Sequence, residues 1–125
     1  MEKQTIAIIG LGKMGSAFLE ELLEHPNQGV DIVAVVEKDH TDGLALAQAH
    51  GIRNIGIDDL IGMGDELDIL FDLTGVAAVR QELRDKLQSS GNRHTIVATE
   101  NIARMVWTLI ASGAELPKPR SNAGY

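Results

Sequence analysis

The chain has 125 residues, 44% of them apolar but only 3% aromatic, with no cysteine and a net charge of −7. One domain around one aliphatic core suits that length, and the lack of cysteine excludes disulfides, thiolate metal centres and a cysteine nucleophile. The acidic balance argues against nucleic acid as a partner, and no apolar run approaches the ~20 residues that cross a bilayer or forms a leader, so no membrane association and a cytoplasmic location are expected.

The first strand is read at Thr5–Ile9, an apolar run that stops on glycine. A helix follows over Lys13–Glu24, with Met14, Ala17, Phe18 and Leu22 toward the core. Pro26 ends it and Asn27-Gln28-Gly29 turns the chain. The second strand is Asp31–Val36. The second helix is Asp42–His50, capped by Thr41 and closed by Gly51. A weak third strand lies within Arg53–Gly56, and a short helix within Asp58–Met63. The fourth strand is Asp68–Leu73, followed by a helix over Val76–Ser89 with Val76, Val79, Leu83 and Leu87 as its apolar stripe. The fifth strand is His94–Ala98, and the last helix is Glu100–Ser112.

Strands alternating with helices predict an α/β domain over residues 1–115, with no second domain and a Pro-containing tail over 116–125. Right-handed crossovers give an open, doubly wound, five-stranded parallel sheet of order 3-2-1-4-5. Ligands of such sheets bind where the order reverses, at the carboxyl ends of strands 1 and 4.

Gly10, Gly12 and Gly15 fit G-x-G-x-x-G between that first strand and helix. Gly10 permits the turn, Gly12 admits a pyrophosphate to the backbone, and Gly15 lets the helix pack close. With Leu11, Lys13 and Met14 they form a loop ending at a helix N-terminus, which favours an anion. A β–α corner closed by glycines without a ligand is the plain alternative. Glu37 falls 22 residues past Gly15, where a carboxylate can accept ribose hydroxyls. It repels a 2′-phosphate, so NAD is favoured over NADP, although Lys38 and His40 are placed to soften that choice. Thr74 and Gly75 close the fourth strand beside the same crevice. Thr74 suits either a ribose contact or the N-cap of the next helix. Thr99 ends the fifth strand and is expected to cap the last helix. Asp72 points away from Phe71 and Leu73 and needs a partner if buried, for which Arg80 is the candidate. His25, His40, His50 and His94 lie at element junctions without metal-ligand spacing. No metal site and no catalytic residue is assigned.

TIAIIGLGKMG, the acid of VVEKD, LALAQAHGI and LDILFDLTG resemble the N-terminal NAD(P)-binding domain of homoserine dehydrogenase, acylating acetaldehyde dehydrogenase, dihydrodipicolinate reductase and the glucose–fructose oxidoreductase family. The closing IVATENIARMVWTLIASG is also similar to Rossmann modules at the N-terminus of bacterial sensor and regulatory proteins. The resemblance covers residues 4–112 and implies a Rossmann-like domain that binds NAD(H). Where glucose–fructose-type enzymes and homoserine dehydrogenases carry a lysine at the end of strand 5, this chain has Thr99-Glu100-Asn101-Ile102, and it lacks the cysteine nucleophile of acylating aldehyde dehydrogenases. The expected function is therefore NAD(H) binding without catalysis of its own, as a nucleotide or redox sensor or an accessory subunit. Alternatives are a small NAD(P)-dependent oxidoreductase completed by a dimer mate or partner protein, and a structural domain that has lost its ligand. A homodimer is expected through residues 100–112. There Ile102, Met105, Val106, Leu109 and Ile110 form the core stripe, and Trp107, off it, either anchors the partner or covers the last strand or lies under the tail.

Overall fold

The computed structural model describes residues 3–26 and 29–111. The expected turn at Asn27-Gln28 and the 116–125 tail lie outside them. Ten elements follow in order: β1 (Gln4–Ile9), α1 (Lys13–Glu24), β2 (Val30–Val36), α2 (Asp42–Ala49), β3 (Arg53–Asn54), α3 (Ile57–Ile61), β4 (Ile69–Asp72), α4 (Ala77–Ser89), β5 (Ile96–Ala98) and α5 (Glu100–Ile110). A 3₁₀ turn over Gly64–Glu66 precedes β4. The strands form one parallel sheet of order β3-β2-β1-β4-β5.

β1 is central and apolar on both faces, which is why the run IAII does not alternate. One face carries Ile6, Ile8, Val35 and Phe71 against Phe18 of α1, Leu44 of α2 and Trp107 of α5. The other carries Ala7, Ile9, Ala34, Val36 and Leu70 against Leu60 of α3 and Val79 and Leu83 of α4. Phe18 and Phe71 meet with ring centres 4.9 Å apart. Ser16 and Gly43 bring α1 and α2 together so closely that a β-carbon on Gly43 would stand 2.2 Å from the Ser16 hydroxyl.

The register of β1 against β2 slips once: Ile6 pairs with Ile32, but Ala7 pairs with Ala34. Val33 is the extra residue of a bulge. Val33 and Ala34 therefore both serve the α3/α4 face, while Ile32 and Val35 serve the other.

Helix α5 overturns one expectation. Its buried residues are Ala103 and Trp107, at 0% and 8% exposure, whereas Ile102, Met105 and Leu109 are 44%, 54% and 77% exposed. Trp107 is core, and the expected core stripe largely faces out. The methyl group of Ala103 allows the helix to lie close to the sheet, and the indole fills the space one turn on. Several boundaries also move inward. β3 keeps only two residues, β5 begins at Ile96, and α4 begins at Ala77 with Val76 as N-cap.

Candidate functional site

The glycine loop joins the carboxyl end of β1 to α1. Gly10 has φ +93°, and a β-carbon there would come within 3.0 Å of the Leu73–Thr74 peptide. A β-carbon on Gly15 would stand 1.8 Å from the Gly10 carbonyl oxygen. The fold itself thus requires both glycines. Gly12 is different: as N-cap of α1 it has φ −74° and ψ −154°, which any residue adopts.

The first internal bond of α1 runs from the Ser16 N–H to the Gly12 carbonyl. Among the described residues, the Lys13, Met14 and Gly15 N–H groups have no protein acceptor. No acidic side chain occupies the first turn. The positive end of the helix dipole and Lys13 lie at a groove of about 620 Å³ lined by Leu11, Gly12, Lys13, Ser16, Ala17, Glu20, His40, Thr41 and Asp42. The loop is open, and its donor set fits a pyrophosphate. The Leu11 and Met14 side chains are fully buried, so they offer a ligand backbone only. His40, expected with Lys38 near the 2′ position of the ribose, lines this groove.

Glu37 lies one residue past β2 and is 4% exposed. Its carboxylate accepts the Leu11 N–H at 2.6 Å and the Asp39 N–H at 3.0 Å. The Glu37 backbone is held by Asn54 of β3: its N–H donates to Oδ1 at 3.0 Å, and its carbonyl accepts from Nδ2 at 2.9 Å. An edge-strand amide thus extends the sheet by one rung, and the sequence reading missed it. A polar residue inside a two-residue strand was the available signal. Lys38 is exposed.

Across the switch point, β4 ends on Asp72, which is fully buried. Its Oδ1 accepts the Thr74 hydroxyl at 2.7 Å and the Thr74 N–H at 3.2 Å. Its Oδ2 accepts Arg80 Nε at 3.3 Å, the partner expected for it. Arg80 Nη2 donates to both Glu100 oxygens, at 2.9 and 2.8 Å. Thr74 is therefore neither the N-cap of α4 nor turned to the solvent. Its hydroxyl accepts the Val76 N–H at 3.1 Å and closes the turn through Gly75, whose φ is +70°. Thr99 occupies the N-cap position of α5, but its side chain makes no cap bond; its carbonyl accepts from Ile102 and Ala103 instead.

At the opposite end of the sheet, Asp68 accepts the Thr5 N–H and hydroxyl and pairs with His94 Nε2 at 2.5 Å. The hydrogen bond to Asp68 raises the His94 pKa, and that to His94 lowers the Asp68 pKa. His94 thus has a structural partner that the sequence did not show. Among the described residues no group of three His, Cys, Asp or Glu could hold a metal, and no helix is long and apolar enough to cross a membrane.

Residues 10–100 match the model of the homoserine dehydrogenase NAD binding domain. The chain is 35% identical over 94 residues to acetaldehyde dehydrogenase 1 of Burkholderia lata, covering 71% of this chain and 29% of that protein. It is 34% identical over 83 residues to acetaldehyde dehydrogenase of Escherichia coli O157:H7, covering 62% and 26%. In fold it is similar to GenD2 from gentamicin A biosynthesis in complex with NAD, with TM-score 0.57, 24% identity and 78% and 27% coverage. It is likewise similar to Staphylococcus aureus homoserine dehydrogenase, with TM-score 0.55, 21% identity and 89% and 30% coverage. The chain spans under a third of the length of each of these proteins.

Proposed function

From the premise that the chain belongs to the homoserine dehydrogenase NAD-binding domain family, we propose that it holds NAD(H) without turning over a substrate by itself. It would serve as a nucleotide or redox sensor or as the cofactor-holding part of a larger assembly. One observation carries the binding: among the described residues the Lys13, Met14 and Gly15 amides at the start of α1 have no protein acceptor, and the adjoining Leu11, Gly12 and Lys13 line an open groove. The adenosine half lies toward Glu37, the acid at the end of β2. The second half lies toward β4 and β5. There the nearest acids, Asp72 and Glu100, are both bonded to Arg80. Groups paired in this way support the structure of the crevice rather than proton transfer within it.

Calorimetry with NAD+, NADH, NADP+ and NADPH tests the reading. Micromolar binding of NAD(H), abolished by Gly12→Val, is expected. No heat with any of the four at millimolar ligand overturns it.

A second reading is a small oxidoreductase completed by a second copy or a partner protein, and the outer face of α5 favours it. Ile102, Met105 and Leu109 are exposed apolar residues of α5, and Ile96 is another on the edge strand β5. Turnover of a small carbonyl compound with NADH, lost in Glu100→Gln, is the result that would select it.

A further inference from the structure

We propose that the Asp72–Arg80–Glu100 cluster makes the chain bind the oxidised dinucleotide, whose pyridinium ring is positive, more tightly than the reduced form, whose ring is uncharged. This rests on the NAD-binding reading above and adds to it the form that is held.

The two ends of the crevice carry opposite fields. At the glycine loop, the helix N-terminus and Lys13 present positive charge to the pyrophosphate. At the ends of β4 and β5, two carboxylates surround one guanidinium, a cluster of net formal charge −1. Arg80 is held between the two acids, Nε by Asp72 and Nη2 by Glu100, so its charge cancels one of the two carboxylates and leaves the other. Asp72 is fully buried, and the Arg80 and Glu100 side chains are only 27% and 18% exposed. Charges withdrawn from solvent in this way are screened less than surface pairs.

A dinucleotide that spans the switch point with its adenosine half toward Glu37 lays its nicotinamide half over these strand ends. The oxidised and reduced forms present the same adenosine and pyrophosphate. They differ by one positive charge at the ring, so the ratio of their affinities reads the field at that place. The redox state of the pool would then be reported as occupancy by the oxidised form.

The test is calorimetry on the full chain with NAD+, NADH and ADP-ribose. Wild type is compared with Glu100→Gln and with Glu24→Gln, which removes an equal charge from the far end of α1. In wild type, NAD+ is expected to bind about 3–10-fold more tightly than NADH. Glu100→Gln brings that ratio within about twofold of unity and leaves ADP-ribose affinity unchanged, whereas Glu24→Gln leaves the ratio as in wild type. NADH binding as tightly as NAD+, or equal movement of the ratio by both variants, overturns the proposal. The wild-type ratio decides the sign alone if Glu100→Gln does not melt cooperatively. Failure of all three ligands to bind wild type overturns the NAD-binding reading itself, and the proposal with it.

Discussion

The Glu37 carboxylate accepts the Leu11 N–H at 2.6 Å, so the acid at the end of β2 is bonded directly to the glycine loop of β1. It fixes the loop before any ribose arrives. Glu37→Ala leaves the Leu11 donor buried without its acceptor and is expected to lower stability by roughly 2–3 kcal/mol. It also weakens NADH and narrows the preference over NADPH, because the repelling charge is gone. Denaturation and paired calorimetric titrations check both effects; unchanged stability would show that Glu37 faces the ligand alone.

The three loop glycines separate by their backbone. Gly12→Val is expected to abolish NAD(H) binding while leaving the melting temperature within a few degrees, since φ −74° suits valine. Gly15→Ala places a methyl group against the Gly10 carbonyl and should lower the melting temperature first. Calorimetry beside a thermal melt distinguishes the two.

Arg80→Met removes the cation from a fully buried aspartate. Breaking such a pair from one side costs about 3 kcal/mol. Arg80→Met combined with Asp72→Asn should cost less than Arg80→Met alone, because the stranded charge is gone. Urea unfolding of the set provides the measurement.

The His94–Asp68 pair makes stability depend on pH. The His94 pKa is raised from 6.5 by its hydrogen bond to Asp68, so its contribution is full below the unfolded value and is lost as pH rises through the folded one. The Asp68 pKa is lowered from 3.8, so its contribution is present above that value and is lost as pH falls through the folded one. The pair therefore helps most between about pH 4 and 6.5. In wild type the melting temperature should fall more steeply above pH 6.5 than in His94→Gln. Parallel slopes in the two proteins would remove the pair from the account.

The faces of α5 predict opposite phenotypes. Trp107→Ala empties a core site and should cost about 3–5 kcal/mol by denaturation. Leu109→Glu lies on the exposed face and should leave stability nearly unchanged while lowering the solution mass of any dimer. A monomer mass for wild type at high micromolar concentration rules the dimer out.

The sheet order, the glycine loop and the Asp72–Arg80 pair were legible because each follows from local pattern or from the need to neutralise a buried acid. Helix α5 was not, because both of its faces are apolar. Ile102, Met105 and Leu109 outweigh Ala103 and Trp107 on any hydrophobic scale, and only the close approach allowed by alanine reverses the choice. Glu37 was identified as a site residue, but its direction depends on long-range packing. The link to Leu11 spans 26 positions, and the support from Asn54 spans 17. His94 found its partner in the same non-local way.

The bulge at Val33 acts as a phase setter for the end of β2. Beyond it, alternate residues of β2 turn toward α1, and the count of one extra residue determines that an acid stands at the strand's end. Delete that residue with the amino half of β2 held in place, and Glu37 arrives where Val36 now lies buried in the α3/α4-side core, while Lys38 takes the place from which Glu37 accepts the Leu11 N–H. The one extra residue is thus what keeps the acid out of the core and on the glycine loop.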